Sequence, residues 1–305
     1  MAVIETTGLT KRFRKQLAVD QISFAVEERQ IFGFLGPNGS GKTTTIGMLL
    51  GIITPTAGGF RLLGEGRGSG LHRARQRVGA TLETPNFYPY LSGRDNLRIV
   101  ANVKRVPHSK IAAVLETVGL ADRAKDKFGG YSLGMKQRLA LAATMLGDPD
   151  LVILDEPANG LDPEGMREIR EIILKLHDSG KTIFLSSHLL WEVERTCTHV
   201  AIIKKGRIIR QASVQEIVSG TVLAGLRGGE IQRLRSIIDE FPDTVGTSIR
   251  DDLVVAELRN DDLGTLNAFV AARGIYLSHL ALQQRSLEDV FIELTGEPAA
   301  VGGGV

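Results

Sequence analysis

Apolar residues in the first two-thirds of the chain alternate between two patterns. Short runs rich in apolar residues stand at 30–35, 151–154 and 182–186, as expected of parallel strands covered on both faces. Between the last two lies helical spacing. In residues 164–179, Ile169, Ile172, Ile173 and Leu176 share one helical face, and Gly180 suits a C-terminal cap. Strand, helix and strand in that order form the βαβ unit of a parallel sheet. Residues 88–147 depart from this alternation. They are mostly helical in pattern, with Ile111, Val114, Leu115 and Val118 as one apolar stripe, and read as a helical insert in an α/β core. No tandem repeat with a period of roughly 20–50 residues is present.

The pattern changes near Thr221. Residues 222–226 read as a strand, 230–241 as a helix, 244–249 and 253–258 as strands, 263–273 as a helix and 275–282 as a strand. This β-α-β-β-α-β order fits a small ferredoxin-like α+β module. Residues 287–294 look like a closing helix and 297–305 like a flexible, frayed tail. The expected organisation is therefore a first domain over 1–220, carrying the insert, then an accessory module over 221–296 and the tail.

Composition narrows the function classes. The 305 residues contain 43% hydrophobic and 24% charged positions, ordinary globular usage that argues against disorder. At about 150 residues per domain, two domains are expected. Lys and Arg number 37 against 35 Asp and Glu, a net charge of +2. That balance gives no reason to expect nucleic acid as the main partner. Cys197 has no second cysteine to pair with, which fits a reducing compartment. No run approaches about 18 apolar residues, and the opening residues do not begin a signal peptide. Membrane contact is accordingly expected only through a partner.

The strongest chemical signal is Gly36-Pro37-Asn38-Gly39-Ser40-Gly41-Lys42-Thr43, which fits G-x-x-x-x-G-K-[ST] between an apolar strand and a helical stretch over 44–50. That is the context of a P-loop. Glycines let successive backbone N–H groups curl inward around phosphate oxygens. The following helix presents its positive end to the same anion. Lys42 adds a point charge at the β and γ phosphates, and the Thr43 hydroxyl can ligate Mg²⁺. Downstream, the apolar run 151–154 ends in Asp155 and Glu156. Ligands of α/β folds bind at such strand ends. Asp155 suits Mg²⁺, directly or through water, and Glu156 suits a general base acting on water.

Three more stretches carry a family resemblance. Tyr131-Ser132-Leu133-Gly134-Met135-Lys136-Gln137-Arg138 resembles the signature of ABC transporter ATP-binding subunits. Asn159-Gly160-Leu161-Asp162 is similar to that family's D-loop, and His188 to its switch histidine. Order and spacing agree over residues 1 to about 220. The resemblance implies a RecA-like P-loop NTPase core with an antiparallel β subdomain and the helical insert. It implies ATP and Mg²⁺, hydrolysis to ADP and phosphate, and a homodimer. In that dimer, Ser132, Leu133, Gly134 and Met135 of one copy meet the γ-phosphate held by the other. The nucleotide-binding set is then Phe13 with Gly36, Pro37, Asn38, Gly39, Ser40, Gly41, Lys42, Thr43 and Thr44. The catalytic pair is Glu156 and His188, the D-loop contributes Asp162, and the metal set is Thr43, Glu83 and Asp155. A separate permease is implied, which places the chain at the cytoplasmic face of the cell membrane, soluble when isolated.

Some residues carry two readings. Ser132 alone is an ordinary helix N-cap; its hydroxyl also suits phosphate. Phe13 can stack on adenine, where the family often has Tyr, or pack in a small sheet. Glu83 stands where the family's Q-loop usually has Gln; it keeps an oxygen for Mg²⁺ but loses the amide donor and adds a charge. Leu133 and Met135 replace a Gly and a Gln of the signature. With residues 287–296, these departures resemble ATPases paired with ABC-2-type permeases, in particular bacitracin and lantibiotic export and immunity systems. Arg67, Arg73, Arg75 and Arg77 with His72 read as a solvated helix face, or as a contact for lipid headgroups or the permease. Phe87, Tyr88 and Tyr90 suit either the core of the insert or a permease groove. Trp191 and Cys197 read as core packing. The alternative function is a soluble ABC-type ATPase remodelling ribosomes or DNA, but the chain has one cassette and no sustained heptads. A P-loop kinase acting on a metabolite lacks an evident acceptor pocket and leaves the signature and His188 unexplained.

Overall fold

The computed structural model describes residues 1–66, 68–82, 85–218, 222–283 and 286–296. By its internal contacts the chain forms two compact units, residues 1–214 with the segment from Leu294, and residues 215–293. The boundary expected near Thr221 and the tail 297–305 fall outside the described residues.

The first unit opens with strands β1 (Ala2–Phe13), β2 (Gln16–Ile22), β3 (Ala25–Glu27) and β4 (Ile31–Leu35). Helix α1 (Lys42–Leu50), β5 (Ala57–Leu62), α2 (Gly68–Gln76) and β6 (Val78–Thr81) follow. The insert contributes α3 (Gly93–Lys104), α4 (Lys110–Thr117) and α5 (Leu133–Met145). Then come β7 (Leu151–Asp155), α6 (Pro163–Asp178), β8 (Thr182–Ser187), α7 (Leu190–Thr196), β9 (His199–Lys204) and β10 (Arg207–Ser213). β1 pairs antiparallel with β2, β3 and β5, which builds the expected antiparallel subdomain. The central sheet runs β10-β9-β4-β8-β7-β6. Its inner strands are parallel, and β10 alone is antiparallel.

Two features of the sequence fix where this sheet puts its polar ends. Every residue of β4, β7 and β8 is buried; their interiors are apolar, and the polar residues Asp155, Thr182, Ser186 and Ser187 stand at strand ends. Phe32 and Phe34, two apart on β4, project to one face, and Phe184 is in register beside Phe32 on β8. Phe24, from the antiparallel subdomain, stacks on all three rings with centroids 5.4–5.9 Å away. This aromatic cluster locks the subdomain to the sheet. On the opposite face, a Cβ at Gly33 would lie 2.9 Å from Val193 and 3.0 Å from the Cys197 sulfur, so the missing side chain makes room for α7. Cys197 is thus core, and burial pushes its thiol well above the ordinary value.

The second unit contains β11 (Val222–Arg227), α9 (Ile231–Asp239), β12 (Thr244–Arg250), β13 (Leu253–Leu258), α10 (Leu263–Ala271) and β14 (His279–Gln283), after a short α8 (Val214–Val218) and before α11 (Leu287–Thr295). The sheet order is β12-β13-β11-β14, all antiparallel, the arrangement of the expected ferredoxin-like module. Leu234, Ile237 and Ile238 of α9 and Leu266 and Val270 of α10 pack on Ala224, Leu226, Val254 and Ala256.

Two expectations need correction. The last strand begins at His279, not residue 275; Ile275 is buried in the core ahead of it. Trp191 is 41% exposed, with the Arg195 guanidinium over its ring. The core positions of that short helix are Leu190 and Val193. Among the described residues, no helix is long and apolar enough to cross a membrane.

Phe184 ties β8 to both β4 and Phe24. Phe184→Ala should therefore destabilise the chain by about 3–5 kcal/mol, read as a lower midpoint of urea unfolding. A loss below about 1 kcal/mol would mean that the stacked rings do not hold the sheet.

Candidate active site

The site sits where β4, β7 and β8 end. Beyond Leu35 the chain turns through residues 36–41 into α1. Gly41 forms the N-cap with φ of 109°, and a Cβ there would lie 2.6 Å from the Ala18 carbonyl oxygen, so both the conformation and the space call for glycine. The first helical bond to the cap is made by the Thr45 amide, which donates to the Gly41 carbonyl at 2.9 Å. The amides of Lys42, Thr43 and Thr44 come earlier and have no acceptor within the helix. Together with Asn38, Gly39 and Gly41 these residues line a cavity of about 640 Å³. Backbone donors and a helix N-terminus around one hollow form an anion cradle.

Gly36 and Pro37 play a different part. Their carbonyls accept hydrogen bonds from the Lys42 ammonium at 2.7 and 3.3 Å. Ser40 is buried and its hydroxyl has no partner; its carbonyl accepts the Gly206 amide at 2.9 Å. Phe13 is half-exposed at the edge of the same cavity, with the Lys11 ammonium 4.8 Å from its ring centroid.

The Lys42 ammonium also lies 3.1 Å from Glu156 Oε1. Glu156 Oε2 is 2.8 Å from His188 Nδ1; an ionised carboxylate can only accept, so the ring nitrogen donates. Burial pushes the Glu156 carboxyl up, but the His188 hydrogen bond and the Lys42 charge together outweigh it and hold the group below its usual range. Glu156 adopts a left-handed backbone, φ 50°, which β-strand continuation does not allow. Its amide donates to Ser186 Oγ at 2.9 Å. The Ser186 hydroxyl in turn donates to Asp155 Oδ1 at 2.5 Å.

Asp155 has the character of a cation ligand. It is 1% exposed, and its Oδ2 is buried with no hydrogen-bond partner. A buried carboxylate oxygen without a donor is an acceptor suited to a cation. Among the described residues, no group of three or more His, Cys, Asp or Glu could hold a metal by itself. A cation here would have one carboxylate from Asp155 and a hydroxyl such as that of Thr43, and would need its remaining oxygens from outside the chain, which suits Mg²⁺. Glu83, the third expected ligand, lies outside the described residues.

Ser132 is the N-cap of α5, and its Oγ accepts the Met135 amide at 3.2 Å. That leaves its O–H free to donate elsewhere. Leu133 is exposed and borders the same cavity as the cradle, while Gly134 leaves its Cβ position 3.9 Å from Leu161. Asp162 caps α6 by accepting the Gly165 amide at 2.8 Å, and Asn159 borders the cavity. Gln137 and Asn159 lie in the signature and D-loop stretches but were given no role of their own, and three contributors to the region were not anticipated at all: Gln16, Ala18 and Ser186. Only Ser186 had a readable signal, as a polar residue at the end of an apolar strand.

The candidate interaction residues divide. Tyr88 and Tyr90 are exposed with centroids 5.8 Å apart, while Phe87 packs edge-on against Phe128 at 5.3 Å. Arg77 pairs with Asp150 at 2.6 Å, Arg73 lies 3.7 Å from Glu65, and Arg75 donates to the Leu49 carbonyl at 3.4 Å. This basic stretch is engaged in local contacts; Arg67 is outside the described residues.

The ABC transporter family profile matches residues 19–159. The chain is 38% identical to the ABC transporter ATP-binding protein YhcH of Bacillus subtilis (strain 168), over 97% of this chain and 96% of that one. It is 37% identical to the bacitracin transport ATP-binding protein BcrA of Bacillus licheniformis, over 96% and 97%. The chain belongs to the ATP-binding proteins of ABC transporters. A further member, the Nod factor export ATP-binding protein I of Ralstonia nicotianae (strain ATCC BAA-1114 / GMI1000), is 34% identical over 96% of this chain and 94% of its own. A solved ATP-binding subunit of an ABC transporter superposes with a TM-score of 0.64 at 27% identity, covering 70% of this chain and 91% of that structure. The chain is thus an ABC-type ATPase with this family's P-loop fold.

The paired Glu156 gives this ABC ATPase a pH signature. A carboxyl whose folded pKa lies below the usual value of 4.5 stabilises the fold fully above that value. It loses the contribution as pH falls through the lower, folded pKa. Glu156→Gln cannot titrate. The stability gap between wild type and Glu156→Gln should stay constant from about pH 7 to 5 and narrow below about pH 4.5, measured by urea unfolding. A gap that widens on acidification would contradict the pairing.

Proposed function

We propose that this chain is the ATP-hydrolysing subunit of an export transporter, working as a homodimer on a separate ABC-2-type permease at the cytoplasmic face of the cell membrane. The observation that carries the reading is the chain of contacts Lys42–Glu156–His188 at the mouth of a backbone anion cradle. Transport and export are named for relatives alike over nearly their whole length. Those names favour a transporter over a soluble ATPase remodelling ribosomes or DNA.

In this reading the amides of Lys42, Thr43 and Thr44 hold the phosphates, and Phe13 stacks on the base at the cavity edge. Thr43 and Asp155 hold Mg²⁺, which neutralises charge on the phosphate oxygens when bound. A phosphate in the cradle competes with Glu156 for the Lys42 ammonium. Once Lys42 turns to phosphate, Glu156 keeps His188 and gains a free oxygen for water. Glu156 then takes the proton from the attacking water, and His188 holds the carboxylate's orientation. The Ser132 hydroxyl of a second copy donates to the terminal phosphate, so hydrolysis releases the two copies from each other.

Glu156→Gln should retain ATP binding, lower kcat by about 10²–10⁴-fold and accumulate as an ATP-bound dimer on size exclusion. Lys42→Ala should weaken nucleotide binding itself. Undiminished phosphate release by Glu156→Gln would refute the assignment of the base.

A further inference from the structure

Ser186 is completely buried, and its hydroxyl bonds to the two acidic residues. A hydroxyl has one hydrogen to donate and lone pairs to accept. Here the hydrogen goes to Asp155 Oδ1 at 2.5 Å, and a lone pair takes the Glu156 amide at 2.9 Å. Strand order makes this possible. β8 lies next to β7, and Ser186 is the in-register partner of Asp155. On its other side Ser186 pairs with Phe34 of β4, and its side chain is closed off from solvent.

The consequences differ for the two acids. Asp155 has one oxygen tied, which fixes the rotation of the carboxylate and leaves Oδ2 as its only unpartnered oxygen. Glu156 has its backbone fixed in the left-handed turn, where a non-glycine residue is strained unless its surroundings hold it. That turn sets where the Glu156 side chain leaves the backbone to meet Lys42 and His188.

We propose that Ser186 is a positioning residue of the hydrolytic reaction, one hydroxyl that orients the Asp155 carboxylate for a divalent cation and holds Glu156 in the conformation needed for proton transfer. This deepens the proposed function and rests on it. Ser186 acts through its two neighbours, to which its hydroxyl is bonded. Groups that orient a metal ligand from behind contribute about 10–100-fold to metal affinity or activity.

The test uses the full chain with Ser186→Ala, Ser186→Cys and, as a control on the reading beneath, Asp155→Asn. Binding of a fluorescent non-hydrolysable ATP analogue is titrated in Mg²⁺ and in EDTA, and the Mg²⁺ dependence of phosphate release is measured in parallel. Ser186→Ala should bind the analogue about tenfold more weakly in Mg²⁺ and unchanged in EDTA, need more Mg²⁺ for half-maximal turnover, and lose about 10–100-fold in kcat. Ser186→Cys, a near-isostere with a weak donor, should lie between Ala and wild type; it carries the test if Ser186→Ala does not fold. Equal loss in both arms would make Ser186 merely structural and overturn the proposal, as would wild-type Mg²⁺ dependence in the serine variants. If Asp155→Asn also keeps wild-type Mg²⁺ dependence, the cation-site reading itself fails.

Discussion

Three parallel strands that stop at the same level hold this site together. Leu35 pairs with Ser187 and Asp155 with Ser186, so the loop after β4, the two acids at the end of β7 and His188 after β8 emerge side by side. Up to that level the strands are wholly buried and almost entirely apolar. Polar groups appear only where the sheet ends, which places them against a low-dielectric wall. Charges next to such a wall interact more strongly than charges in water. Lys42, Glu156 and His188 accordingly form one connected set, and Asp155 adds a carboxylate already tied to Ser186.

Two left-handed residues make the geometry work, at different cost. Gly41 turns the loop into α1 with no side chain to strain. Glu156 makes a comparable turn at the end of β7 while carrying a full side chain, a conformation that costs about 1–3 kcal/mol. Its amide bond to Ser186 and its side-chain contacts with Lys42 and His188 offset that cost. Strain in the backbone and placement of the carboxylate are therefore one event: relaxing the turn would carry the side chain away from both partners.

How much of this could be read from the chain depended on whether the information was local. The cradle was legible because glycine spacing, lysine and the helix that follows are consecutive in sequence. The same holds for the caps Ser132 and Asp162, each of which accepts an amide three residues on. Ser186 was not legible as a partner of Asp155, because that pairing exists only once β8 is placed between β4 and β7. Trp191 was misjudged for a different reason. In a helix of seven residues, apolar periodicity cannot settle which of two neighbouring positions faces inward, and Leu190 takes the core. The last strand of the second unit began late because Ile275 satisfies its apolar side chain in the helix-packed core before the chain reaches the sheet.

The electrostatics of Glu156 also bear on timing. Burial raises its pKa, while His188 and Lys42 pull it below the ordinary range, and a carboxylate held that low is a poor proton acceptor. On the proposed reading, a phosphate that draws Lys42 away removes one of the two depressing influences and leaves burial in place. The carboxylate becomes more basic as the cradle fills. Base strength is then set by the substrate itself, through one lysine that cannot serve the carboxylate and the phosphate equally at once. The Gly36 and Pro37 carbonyls hold that lysine between Glu156 and the hollow of the cradle, so on this reading a side-chain movement alone could pass it from one to the other.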